Sequence, residues 1–174
     1  FRPRNKPAAT MEFHPATAAD LTAVLRLVAQ GRAALARRGV DQWQDGYPSQ
    51  EVILRDLRRG DGRIVRSDGA TAAFVFDGEP AYDRLEEGRW AADGPYVAVH
   101  RLVVGDDFAR RGIAAALLRE AAREARARGI RSFRIDTHPD NDYMRALLAK
   151  EGFAYRGKVW YEALRLAYEK PILG

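Results

Sequence analysis

Residues 96–138 constrain the fold of this chain more than any other stretch. The run Tyr96–Val104 carries Val97, Val99, Leu102, Val103 and Val104, which leave little room for a solvent face, as in a strand covered on both sides. A turn containing Gly112 leads into an Ala- and Arg-rich helical stretch over about residues 110–128, closed by Gly129. Residues 130–138 then alternate, with Phe133, Ile135 and Thr137 on one face and Arg134, Asp136 and His138 on the other. Strand, helix and strand in that order predict a parallel pair, because parallel neighbours need a crossover of roughly a dozen residues or more. The chain is therefore expected to be mixed α/β, with helices on both faces of one sheet.

The flanking segments extend this pattern. A short first strand is expected at residues 12–16. Leu21, Val24, Leu25, Val28 and Leu35 then recur at helical spacing until Gly39. Ser49 is placed to cap a short helix through Arg59, with Gly60 beyond its end. Strands at residues 63–66 and 71–76 flank Ser67, Asp68 and Gly69, a hairpin-turn sequence. Residues 77–95 read as a long polar excursion containing Trp90. Asn141 opens a helix to about Lys150, ended by Gly152, and residues 153–161 and 164–169 form a last hairpin. That hairpin offers an edge for pairing across a homodimer.

Composition closes off several functions. At 174 residues the chain suits one domain, expected over residues 11–174, with residues 1–10 a flexible extension lacking the apolar core of a signal peptide. No apolar run approaches the roughly 20 residues that span a bilayer, so a cytoplasmic protein is expected. The absence of cysteine removes disulfides, thiolate metal sites and a thiol nucleophile, and with three histidines no metal is expected. The net charge of +5 is carried largely by arginines alternating with acids along a helix, as in Arg119, Glu120, Arg123 and Glu124. A solvated helix face explains that better than nucleic acid, for which no recognition motif is present.

Chemistry concentrates at Arg110, Arg111, Gly112, Ile113, Ala114 and Ala115, where small residues open a helix and two arginines flank its start. Free amides at a helix N-terminus attract anions, and guanidinium groups add charge-assisted bonds to phosphate oxygens. There is no Gly-Lys-Ser/Thr, and the glycine spacing fails the dinucleotide fingerprint. The segment resembles the signature of the GNAT superfamily of N-acetyltransferases, Gln/Arg-x-x-Gly-x-Gly/Ala, with Gly112 and Ala114 matching and Ala109 in place of the usual Gln or Arg. Asn141, Leu147, Lys150, Gly152 and Phe153 fit a second pattern of that family, Asn-x-x-Ala-x-x-Leu-Tyr-x-Lys-x-Gly-Phe. The resemblance implies a splayed mixed sheet of about six or seven strands and acetyl-CoA as co-substrate. It also implies that backbone groups of Leu102, Val103 and Val104 meet the pantetheine arm. The amides of residues 110–115 would then hold the pyrophosphate, and Asn141 would touch CoA from across the cleft.

Without a cysteine, an amine attacking the bound thioester directly is the simplest route, the acceptor being a small molecule or a protein N-terminus. An amine of pKa about 10.4 needs a base at neutral pH. The strand Tyr96–Val104 lacks the glutamate that some family members place there, so His100, Asp136 and His138 are the candidates. Leu148 stands where many members carry a tyrosine acid. Tyr143, five residues earlier and about 140° around the helix, is a poor substitute on that face. Trp43, Gln44, Tyr47 and Trp90 lie in polar segments suited to an acceptor site. Two readings stay open here: an acetyltransferase, or an acyl-CoA-binding module without turnover.

Overall fold

The computed structural model describes residues 11–65 and 69–174. The expected extension at residues 1–10 and the turn residues Ser67 and Asp68 lie outside them. Seven strands form one sheet in the order β1-β2-β3-β4-β5-β7-β6: β1 (His14–Pro15), β2 (Gly62–Val65), β3 (Ala70–Phe76), β4 (Tyr96–Val104), β5 (Ser132–Thr137), β6 (Ala154–Trp160) and β7 (Leu164–Pro171). All neighbours run antiparallel except β4 and β5, the parallel pair expected from the strand–helix–strand order. Among the described residues no helix is long and apolar enough to cross a membrane.

Among the described residues four α-helices cover the sheet: α1 (Leu21–Arg37), α2 (Gln50–Arg59), α3 (Ile113–Ala127) and α4 (Asp142–Lys150). Leu117, Leu118, Ala121 and Ala125 of α3 are buried with Val97, Val99, Phe74 and Phe133 in the main core, which also takes Leu148 of α4. Val24 and Val28 of α1 meet Ile53 and Leu57 of α2 in a second cluster. Ser49 caps α2 by accepting the Val52 N–H, and Gly60 ends it in the left-handed conformation, both as expected.

The start of α3 is corrected. The helix begins at Ile113 rather than near Arg110, because Arg110 (φ 65°) and Gly112 (φ 76°) are both left-handed and break helical geometry. The excursion at 77–95 is also less free than its polarity suggests. Tyr82 is buried beneath it, Trp90 donates its indole N–H to the Tyr82 carbonyl, and the buried Glu169 accepts the N–H groups of Ala91 and Ala92. Its backbone runs so close to β6 that a Cβ on Gly88 would sit 1.7 Å from the Arg156 carbonyl oxygen. Glu86 and Lys158 exchange backbone hydrogen bonds, so the β6 edge expected to face a second copy is partly taken by the chain itself.

A bulge in β4 sets up everything that follows. The register with β3 runs Ala73↔His100 and then Thr71↔Val103, so β4 spends one residue more than its partner, and Arg101 takes φ 54°. An inserted residue reverses which face every later side chain meets. Leu102 and Val104 therefore join Val97 and Val99 on the α3 side. Arg101 turns to α2, and Val103 packs near Gly31 of α1.

Candidate active site

Beyond the bulge the parallel pair separates. β4 and β5 are bonded only at Tyr96↔Ser132, Val97↔Phe133 and Ala98↔Arg134, although both strands continue. Residues 99–104 and 135–137 thus face each other across a gap with main-chain groups that no strand fills, a template for the amides of an extended ligand. The gap is part of a cleft of about 1110 Å³ whose lining includes the start of α3, the 41–47 loop and residues 161–163.

The α3 end is built from backbone. The first bond within the helix runs from Ala116 N–H to the Gly112 carbonyl, so the amides of Ile113, Ala114 and Ala115 have no helical partner. No side chain caps them and no acid stands in the first turn, unlike Ser49 at α2 and Asn141 at α4. Leu102, Val103, Val104, Arg110, Gly112, Ile113 and Ala114 border the cleft. Arg111 and Ala115 are not in its lining, and the Arg111 guanidinium stacks over Phe108 with 5.1 Å to the ring centre. Asn141 is buried at the cleft wall. Its Oδ1 caps α4 at Met144, and its Nδ2 donates to Gln42 at 3.1 Å. This uncapped, anion-seeking terminus, opening onto two free strand edges, fits a phosphate-bearing chain such as the pantetheine arm and pyrophosphate of CoA.

The opposite end is built from side chains. His100 Nε2 lies 3.1 Å from a Glu79 carboxylate oxygen, within ion-pair distance but without the alignment of a hydrogen bond. Burial alone would raise the Glu79 pKa, but His100, the Ala81 N–H and Arg101 outweigh it and hold the group below its ordinary value. Asp136 accepts the phenol protons of Tyr82 (2.7 Å) and Tyr161 (3.1 Å), both on Oδ2. Among the described residues its Oδ1 has no hydrogen-bond partner, and Asp136 lines the cleft. Burial first, then the charge of Asp136, pushes both phenols well above the ordinary tyrosine value, so they stay protonated as donors.

His100 and Asp136 both border the cleft, whereas His138 does not line it, and its Nδ1 instead accepts the Asp140 N–H. Trp43, Gln44 and Tyr47 border the cleft. Trp90 does not: it packs on Tyr82 (5.3 Å between ring centres) and on the Arg134 guanidinium, as a structural anchor. Leu148 is fully buried, so its position supplies no acid. Tyr143 does border the cleft, because the opening wraps over the start of α4.

Glu79, Arg101, Asp56 and Tyr161 are not among the residues expected from sequence. Arg101 alone left a signal, as a cation inside an otherwise apolar strand. Glu79 and Tyr161 stand in aperiodic loops.

Comparison with known proteins agrees with this geometry. The model of the acetyltransferase (GNAT) family matches residues 33–153, and the chain belongs to that family. An acetyltransferase of the GNAT family from Streptococcus agalactiae superposes with a TM-score of 0.85 at 32% identity, covering 94% of this chain and 96% of that one. An uncharacterised N-acetyltransferase of Bacillus subtilis, YesJ, is 25% identical over 147 residues, 82% of this chain and 81% of its own. The PaiA N-acetyltransferase of Thermoplasma acidophilum, solved in complex with coenzyme A, has a TM-score of 0.65 at 17% identity over 94% of this chain and 99% of that one. The protein is an acyl-CoA-dependent N-acetyltransferase.

Proposed function

We propose that the enzyme moves the acetyl group of acetyl-CoA directly to an amine, on a small molecule or a protein N-terminus, within a ternary complex. The observation that carries this reading is the separation of β4 from β5 over an uncapped helix start, with two carboxylates and a histidine at the far end. The amides of Ile113, Ala114 and Ala115 hold the pyrophosphate, and the free edges of Leu102, Val103 and Val104 bond the pantetheine amides. The coenzyme A in the Thermoplasma relative supports the same use of the fold. Acetyl-CoA being an intracellular metabolite, we place the reaction in the cytoplasm.

At the acceptor end the amine nitrogen attacks the thioester carbonyl carbon. A C–N bond forms, the C–S bond breaks, and its electron pair leaves on sulfur. His100, with Glu79 beside it, takes the proton that the amine sheds. Asp136, held by Tyr82 and Tyr161, keeps Oδ1 for a second N–H of the amine. The thiolate, of pKa about 8.5, leaves unprotonated or takes a proton from water.

The test has two arms. Calorimetry with acetyl-CoA should show binding, and none at millimolar concentration would overturn the reading. Thiol release with an amine panel should be lost in His100→Ala and Asp136→Ala while CoA affinity is kept. Binding without turnover on any amine would make the protein an acyl-CoA-binding module instead.

A further inference from the structure

We propose that Arg101, locked onto Asp56, is a positioning residue that turns the phenol proton of Tyr47 into the acceptor end of the cleft, and that this proton selects amines bearing a hydrogen-bond-accepting oxygen. The inference rests on the acetyl-transfer reading above and narrows its acceptor class.

The argument begins at the bulge. Without the inserted residue Arg101 would face the α3 core. With it, the side chain crosses to α2, where Nε and Nη2 grip the two oxygens of Asp56 at 2.5 and 2.7 Å. Both side chains are buried, at 9% and 7% exposure, so the pair is not itself a ligand site. The remaining nitrogen, Nη1, reaches the Tyr47 hydroxyl at 2.9 Å. A guanidinium has only donors, so the phenol oxygen must accept, and its own proton must look elsewhere. Among the described residues no group accepts that proton, and Tyr47 borders the cleft at 41% exposure.

The rest of the loop is fixed without the hydroxyl. Arg32 donates to the carbonyls of Trp43, Tyr47 and Pro48, and the Tyr47 N–H bonds Asp45. The Arg101 contact therefore adds orientation of one proton rather than loop folding. A lysine cannot make the same connection, since one ammonium does not grip both carboxylate oxygens and still reach the phenol in a fixed plane. A site that presents a donor rejects an analogue lacking the matching acceptor, because the donor is left unpaired.

The experiment uses saturating acetyl-CoA and matched amines at millimolar concentration, with rates compared per unprotonated amine: each bears a carbonyl or hydroxyl oxygen within three bonds of the nitrogen, or is its alkyl analogue, as in glycinamide and isobutylamine. The oxygen-bearing members should turn over preferentially. Tyr47→Phe should lower their kcat/KM at least tenfold, through KM, while the alkyl analogues stay within twofold and the acetyl-CoA KM is unchanged. Arg101→Lys should reproduce that loss of discrimination. Equal turnover of both series, equal losses in both, or silence of the whole panel with acetyl-CoA still binding would overturn the proposal. A merely structural Arg101 would lower the thermal midpoint and spare the ratio between series, which also overturns it. Failure of acetyl-CoA to bind the wild-type protein would instead sink the acetyl-transfer reading.

Discussion

At the α3 end of the cleft the polar groups on offer are main-chain amides, left free by the lack of any cap. At the acceptor end they are side chains from five segments: Tyr47, Glu79, His100, Asp136 and Tyr161, braced by Arg101 and Asp56. The first end depends on where one helix starts, the second on the packing of separate pieces of chain. The difference predicts that the two ends break in different ways: the acceptor end through lost stability, the α3 end through lost affinity.

The largest effect should follow Asp56→Ala. It leaves a buried guanidinium without its carboxylate, and one-sided loss of a buried pair costs about 3–5 kcal/mol. Urea unfolding should show this, whereas Arg111→Ala at the exposed α3 turn should stay within about 0.5 kcal/mol. Equal losses at the two sites would erase the contrast. Tyr82→Phe comes next. Its buried phenol is a donor to a carboxylate, a bond of about 1.5–3 kcal/mol, while Tyr161→Phe, 44% exposed, should cost less than half as much. If Tyr161→Phe costs more, Asp136 is held from the solvent side rather than from the core.

The α3 end is tested by Ala115→Glu. A glutamate in the first turn favours the helix dipole and should stabilise the fold by about 0.3–1 kcal/mol. The same carboxylate competes for the free amides and repels phosphate. Acetyl-CoA should therefore bind about 10–30-fold more weakly, or about 1.4–2 kcal/mol, by calorimetry. Unchanged affinity would mean that the pyrophosphate does not sit on these amides.

The same contrast explains what was legible in the sequence. Gly112, Ala114 and the run from Tyr96 to Val104 advertised the α3 end, because a helix start and a buried strand are local patterns. The hairpin strands, the cap at Ser49 and the last two strands were legible for that reason. The bulge was not: its only trace is Arg101, next to His100 in a strand otherwise rich in apolar residues, and its meaning depends on Asp56, 45 residues earlier. Glu79 meets His100 through an excursion that is anchored by Tyr82 and Glu169, contacts that no periodicity encodes. Trp90 looked like a ligand-facing aromatic for the same reason, and the anchoring of that excursion made it a packing residue.

The smallest effect is one of pH, and it too belongs to the acceptor end. His100, the Ala81 N–H and Arg101 hold Glu79 below its ordinary 4.5 despite partial burial. A carboxyl whose value is lower in the folded state binds its proton more readily when unfolded, so stability rises with pH between the two values. The Glu79 contribution is thus complete above about 4.5 and is lost as pH falls through the folded value. Glu79→Gln should be less stable than wild type at pH 6, and urea midpoints should converge as pH falls below about 4.5. Glu124, lowered chiefly by its bond to Arg63 and far from the acceptor end, should behave the same way in Glu124→Gln without altering turnover. A gap between wild type and Glu79→Gln that stays constant as pH falls below 4.5 would mean that His100, the Ala81 N–H and Arg101 do not hold the Glu79 carboxyl down.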